Sequence, residues 1–312
     1  MADLGDTTPA TVKAINAACE AKYAAEMRED ATLRMSSIGK ACDRALWLAL
    51  RWSTPRKPVE ARITRVFQNG HDRESRIVEM LALAGLKVQA VDPVTGGQWR
   101  VELADGDLIG HADGKITGIP ESPVTPHLLE IKTMNAKRWA TFRSKGVKAS
   151  DPQYWVQAQC YAHGLGLTRI LFVCENQDTK EIWTERLHVD LLAAANVEAK
   201  ALRITRAIAP PEGISQDPKF YQCLFCASHG LCHKQERARR NCRTCIAFDF
   251  ASKTCQRHGD VRDLDAQRAG CDVHLYIPEL VHGEQIDASE QAGTVTYRMP
   301  DGSIWTDGVV AT

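Results

Sequence analysis

The chain has 312 residues, 44% hydrophobic and 25% charged, which is the composition of a soluble globular protein with length for one to three domains. Lys plus Arg and Asp plus Glu stand at 39 each, so there is no global basic field, and any nucleic-acid contact has to come from a local patch. No apolar run reaches membrane-spanning length, and the start, MADLGDTTPA, has neither basic residues nor an apolar core. The expectation is a cytoplasmic protein with no membrane contact, in which eleven cysteines point to metal or cluster ligation before disulfides.

Residues Thr11–Arg34 are rich in Ala and charge and predict a helix. Ser36 or Ser37 can cap a second helix whose apolar face holds Leu46, Leu48 and Leu50, with Cys42 in its first turn. After Pro55 and Pro58 a longer helix is expected over Arg62–Ala84, with Ile77, Met80 and Leu81 on its apolar side. His71 and Glu74 are three apart on it and share a face. Leu86–Val91 and Gln98–Leu103 read as strands about the turn Pro93–Gly97, leading into a strand at Gly110–Lys115.

Asp113 falls at the end of that strand. Pro120, Pro123 and Pro126 mark a turn, and the next strand carries Glu130 and Lys132 two apart, leaving one face. Two carboxylates and an ammonium at one sheet edge are unfavourable unless something binds there. A divalent cation would offset the carboxylates, and Lys132 could face an anionic oxygen. Strands interleaved with helices give a mixed sheet with a helix on either side, an α/β core.

Lys137, Arg138, Arg143, Lys145 and Lys148 form the strongest basic cluster, with Trp139 among them, and suit a phosphate track with a base platform. A helix opens at Asp151-Pro152; Gln157 and Tyr161 stack on one of its faces. Arg169–Glu175 predicts an apolar strand, with Cys160 and Cys174 as core thiols, and Leu191–Ile208 a helix. Cys223, Cys226 and Cys232 make a Cys-x2-Cys-x5-Cys metal signal lacking one ligand, for which His229, His233 or the distant Cys42 are candidates. Cys242, Cys245, Cys255 and Cys271 fit a small tetrahedral zinc site, with His258 or His274 as alternates. The tail, Gly293–Gly308, predicts a hairpin about Pro300-Asp301-Gly302.

Gly110-x-x-Asp113-Gly114, a hairpin, then Leu128-Leu129-Glu130-Ile131-Lys132-Thr133 resembles the PD-(D/E)xK nuclease superfamily, with Ala112 where the strict motif has Pro. Gly70-His71 upstream and Gln157-x3-Tyr161 downstream resemble its RecB-like and Cas4-like branch, and the resemblance covers roughly Ser36–His233. It implies a restriction-endonuclease-like fold and a Mg2+- or Mn2+-dependent deoxyribonuclease, with an exonuclease in recombination or end-processing preferred. Asp113, Glu130, His71 and the Ile131 carbonyl would hold the metal, with Glu74 in support and Lys132 acting on water. Gln157, Tyr161, Lys137 and Arg138 would meet DNA, and a recombination or single-strand-annealing protein would be a partner. One cysteine before the core and three after it resembles a [4Fe–4S] arrangement, here Cys42, Cys223, Cys226 and Cys232, stapling the two ends of the nuclease fold; Zn2+ is the rival occupant. The expected division is N-terminal helices to residue 60, the nuclease core at 61–190, a helix with the first cysteine group at 191–236, and the zinc module with the hairpin at 237–312. The rival in kind is a non-catalytic nucleic-acid-binding or assembly protein with the same fold and metal centres.

Overall fold

The computed structural model describes residues 7–27 and 29–308. Helix α1 (Ala10–Glu26) ends earlier than its Ala-rich composition suggests, because the backbone turns extended at Met27. Helix α2 (Asp43–Leu50) has Cys42 at its N-cap, not in its first turn. Neither Ser36 nor Ser37 caps it: both lie in a separate helical turn, Met35–Ile38, where Ser37 Oγ donates to the Arg34 carbonyl. Helix α3 (Ala61–Leu83) matches its expected span to one residue at each end. It stops in a Schellman arrangement, with Gly85 N–H on the Ala82 carbonyl, Leu86 N–H on the Leu81 carbonyl, and Gly85 at φ +82°.

Strands β1 (Lys87–Gln89), β2 (Trp99–Leu103), β3 (Leu108–Ala112), β4 (Gly114–Thr117) and β5 (His127–Met134) follow. Helices α4 (Ala136–Lys145) and α5 (Pro152–Gly164) precede β6 (Arg169–Asn176), β7 (Ile182–His188) and helix α6 (Leu191–Arg206). The described residues divide into two compact units, which the chain visits alternately. The first draws on Met1–Glu29, Arg56–Leu103 and Ile109–Ala195, and the second on Asp30–Pro55, Ala104–Leu108 and Asn196–Thr312.

The first unit is built on a mixed five-stranded sheet of order β1-β4-β5-β6-β7. Only β5 and β6 run parallel, with Glu130 opposite Phe172 and Lys132 opposite Cys174. One face packs on α3, through Ile77, Ile116, Leu129, Ile131, Leu171 and Val173. Met80, expected on the apolar side of α3, is 39% exposed; Val78 takes that role. By strand alternation Leu128, Glu130, Lys132, Phe172 and Cys174 leave the other face. There α4 buries Trp139 and Phe142, and α5 buries Ala158, Cys160 and Tyr161. Cys160 and Cys174 are core thiols, and burial pushes the Cys174 thiol up to about 12, which leaves it inert.

In the second unit Arg243 has no exposed surface. Its guanidinium donates to the Ala31 and Leu50 carbonyls and to Gln267 Oε1, and lies 3.7 Å from the Trp52 ring centroid. Two-residue strands Phe248–Asp249, Thr254–Cys255 and Asp260–Val261 make a small antiparallel sheet, followed by the helix Leu264–Ala269. The tail hairpin is there, Thr294–Arg298 against Ile304–Asp307. Glu284–Ser289 adds a third strand, whose polar run of residues gave no strand signal.

Candidate active site

Asp113 stands where the backbone passes from β3 in a smaller sheet to β4 in the five-stranded one. Its carboxylate is fixed from the neighbouring strand, since the Ile131 N–H donates to Asp113 Oδ2 at 2.7 Å. Glu130 and Lys132 flank Ile131 on β5 and leave the same face, so three consecutive residues serve one site through backbone and side chains. The Glu130 side chain has no exposed surface, and Lys132 Nζ lies 2.6 Å from its Oε1 as an ion pair. Both Glu130 oxygens are buried, and among the described residues the Lys132 ammonium is the one group that supports them. A fully buried carboxylate held by one ammonium, with a second carboxyl group close by, is a costly arrangement in a purely structural role.

The electrostatics carry the same message. Burial pushes the Glu130 carboxyl up to about 8; Lys132 pulls it back, and Asp113 pushes it further. Burial also raises Asp113, against Lys132 and the Ile131 N–H. Glu74 is raised by burial and then by Asp113, with His71 and Lys132 opposing. Burial works against the Lys132 ammonium, but Glu130 and Asp113 outweigh it and hold the amine above its usual range. All three carboxyl groups are shifted upward together, which is the signature of a place short of positive charge.

Most of the expected residues meet here. Glu74 on α3 reaches Asp113 and Lys132 electrostatically, and His71 Nδ1 lies 3.8 Å from Glu74 Oε2, although the His71 side chain is 72% exposed. Gln157 and Tyr161 share a face of α5 as expected, but both are buried, and the Gln157 amide donates to the Tyr161 hydroxyl at 3.0 Å. Tyr161 therefore presents no stacking face for a base. Burial, then Glu130, pushes its phenol up to about 12, which places it behind the carboxylates. Lys137 and Arg138 are exposed at the start of α4, where the Asn135 side chain caps the helix by accepting from the Arg138 N–H at 3.0 Å.

Two contacts lay outside the sequence reading. Arg73, beside Glu74, pairs with Glu175 on β6 and ties α3 to the sheet. Tyr154 in the first turn of α5 has Lys132 Nζ 4.9 Å and the Arg138 guanidinium 5.4 Å from its ring centroid. Neither has a motif: each pair is joined only by the packing of a helix on a strand or on another helix.

Eight of the eleven cysteines fall in two groups, both in the second unit. Cys42, Cys223, Cys226 and Cys232 line one cavity with Arg44, Ser228, His229 and His233. Burial raises the Cys223 thiol, and Cys42 and Cys226 add to it; burial raises Cys232 with Arg44 opposing. These thiols lie outside the unit that carries Asp113, Glu130 and Lys132, and they bring a residue from before the expected nuclease core together with three from after it. In the second group burial pushes the Cys242 thiol up to about 11, with Cys271, Cys245 and Cys255 contributing. Cys245 sulfur also receives the backbone N–H groups of Leu275 and Ala247. His274 Nε2 is engaged with Thr244 Oγ1 at 3.2 Å, and His258 is exposed. Among the described residues no three His, Cys, Asp or Glu side chains stand at the spacing of ligands around one ion.

No protein-family model matches the chain, and no curated protein matches its sequence. Among solved structures it is similar to SSO0001, at 12% identity and a TM-score of 0.41 over 72% of this chain and 96% of that one. It is also similar to LHK-Exo, an alkaline exonuclease from Laribacter hongkongensis, at 17% identity and a TM-score of 0.37 over 59% and 90% of the two chains. The same exonuclease in complex with dAMP gives 15%, 0.35, 55% and 85%. Likenesses this distant leave the chemistry to be read from the residues themselves.

Proposed function

We propose that the protein is a metal-dependent deoxyribonuclease of the RecB-like and Cas4-like kind, an exonuclease acting in recombination or end-processing. The observation that carries the reading is Glu130, fully buried beside Asp113 with the Lys132 ammonium as its one supporting group among the described residues. The donor set is hard oxygen, which fits Mg2+ or Mn2+. Asp113 and Glu130 would hold the ion, with the Ile131 carbonyl, His71 and Glu74 as further donors or supports. The ion, when bound, supplies Lewis-acid stabilisation of the phosphate charge and the leaving oxygen. The chain's own contribution is orientation. The Ile131 N–H fixes one Asp113 oxygen, which keeps the other available. Arg73 paired with Glu175 holds α3, and with it Glu74, against the sheet. Lys132 is charged at neutral pH, so it donates: its N–H groups orient the attacking water or a phosphate oxygen.

The cavity lined by Cys42, Cys223, Cys226 and Cys232 suits a [4Fe–4S] cluster, for which it offers four cysteine ligands. Cys242, Cys245, Cys255 and Cys271 suit a structural Zn2+: burial raises the Cys245 thiol, with two backbone N–H groups opposing, and a bound cation would offset that burial.

Asp113→Ala and Lys132→Ala, compared with the wild type on labelled single- and double-stranded DNA with Mn2+, test the function. Each variant is expected to cut about 10²-fold more slowly or worse. Wild-type protein that cuts no DNA with Mg2+ or Mn2+ would replace this reading with a binding or assembly role.

A further inference from the structure

Residues Ala136–Ser150, helix α4 and the turn after it, carry Lys137, Arg138, Arg143, Lys145 and Lys148 without one carboxylate, in a chain whose charges otherwise cancel. Three of these cations rest on aromatic rings: Arg138 5.4 Å from the Tyr154 centroid, Lys148 4.3 Å from Trp155, and Arg143 4.8 Å from Trp183. Tyr154 in turn lies 4.9 Å from Lys132 of the candidate active site. Tyr154 and Trp155 are half-buried, so their rings are held in place yet accessible, and Trp183 is 40% exposed. Four carboxylates approach the stretch, Asp151 on Arg138, Asp190 3.9 Å from Lys148, Asp178 on the Ala136 N–H and Glu185 on the Val147 N–H, while the Lys137 and Lys145 side chains stay exposed.

Cation–π pairs also steady ordinary surfaces, by ~0.5–1 kcal/mol each, with no ligand at all. These differ in their company. They begin at a residue of the candidate phosphodiester site and lie on a stretch of one charge sign, so a polyanion is the complementary partner. A single strand offers a phosphate for each cation and an open base face for each ring. A duplex has its base faces stacked inside and can use the cations alone.

We infer that this face of α4 and α5 is a track for single-stranded DNA that ends at Lys132. Tyr154 and Arg138 hold the nucleotide beside the reacting phosphate, and Trp155 with Lys148 hold a neighbouring one. The direction of the track rests on the nuclease reading; the binding of the strand does not.

The test is fluorescence anisotropy of the full-length protein in EDTA with labelled oligo(dT), a duplex of equal length, and oligo(U). Trp155→Ala is expected to weaken oligo(dT) binding by about tenfold or more, with Trp155→Phe restoring most of it and duplex binding unchanged. Lys148→Ala, at an exposed side chain where folding is not at stake, should weaken binding and reduce the salt slope by about 0.7. Oligo(dT) binding unaltered by Trp155→Ala, an equal loss on the duplex, or oligo(U) bound more tightly than oligo(dT) would each overturn the inference. Binding is read without metal or turnover, so the two readings fail separately. A protein that cuts nothing but shows these losses keeps the track; one that cuts DNA while Trp155→Ala binds normally keeps only the nuclease.

Discussion

Glu130 and His274 are ionisable side chains with almost no exposure, and the fold resolves them differently. Glu130 keeps its charge problem open: even with Lys132 beside it, burial pushes its carboxyl up to about 8, as expected of a residue that takes a cation. His274 avoids charge. Burial, then Arg240, pushes its ring down to about 4, and its Nε2 settles against Thr244 Oγ1. A histidine whose folded pKa lies below its unfolded value stabilises the fold fully above about pH 6.5. That stability is lost as pH falls, because the unfolded chain takes up a proton that the native ring refuses. Between pH 6.5 and 4 the loss amounts to about 3 kcal/mol, some 2 kcal/mol of it by pH 5. Urea unfolding at pH 7.5 and 5 checks this: His274→Gln, which can still bond Thr244, should lose less stability than the wild type across that interval. An equal loss in both proteins would remove His274 from the account. Of the charged residues at the candidate site, Asp113, Glu130 and Lys132 were named from strand spacing together with the motif resemblance. The burial of Tyr161 and the part played by Tyr154 were not, since spacing names the face of a helix but not what covers it.

At the scale of elements, the Asp113-Gly114 step decides how the site is assembled. A Cβ on Gly114 would lie 2.9 Å from the Gln89 carbonyl oxygen and 3.2 Å from the Ala90 Cα, both backbone atoms that cannot rotate away. β1 approaches β4 this closely because the residue is glycine, and Asp113 takes its direction from the same turn of chain. Gly114→Ala is expected to lower stability by about 1–3 kcal/mol. It should also cut cleavage more deeply than that loss explains, because it moves Asp113; a variant as stable and active as wild type would contradict this. Helix α3 was readable to within one residue because apolar spacing and Gly85 agree with its packing. Helix α1 was overextended because composition reports propensity and not where packing ends, and α1 has no buried residue to mark its limit. Strand β7 escaped notice: it lies at the sheet edge with most of its side chains exposed, so no apolar alternation marks it.

Across the whole molecule, the chain weaves between two units and gives each a different chemistry. Asp113, Glu130 and Lys132 fall in the first, and both cysteine groups in the second. Net charge is zero, yet the basic stretch at 136–150 and the cysteine-rich C-terminal third show how unevenly residue types are spread. Metal analysis of anaerobically purified protein is expected to give a brown sample with about four iron atoms and one zinc per chain. Cys245→Ser should lose the zinc and melt at lower temperature, while iron stays. A colourless protein with zinc at both sites would end the cluster proposal.

By itself the sequence determined an α/β chain, the order of its main helices and strands, the acidic and basic residues that share a strand, and the two cysteine groups. All of these depend on residues near one another along the chain, where periodicity of two or 3.6 fixes direction. Tertiary structure alone decided that Asp113 takes its hydrogen bond from Ile131, that Glu130 is sealed from solvent, and that Tyr154 lies beside Lys132. Those depend on which surfaces bury which, and burial, unlike periodicity, is not written in any local stretch.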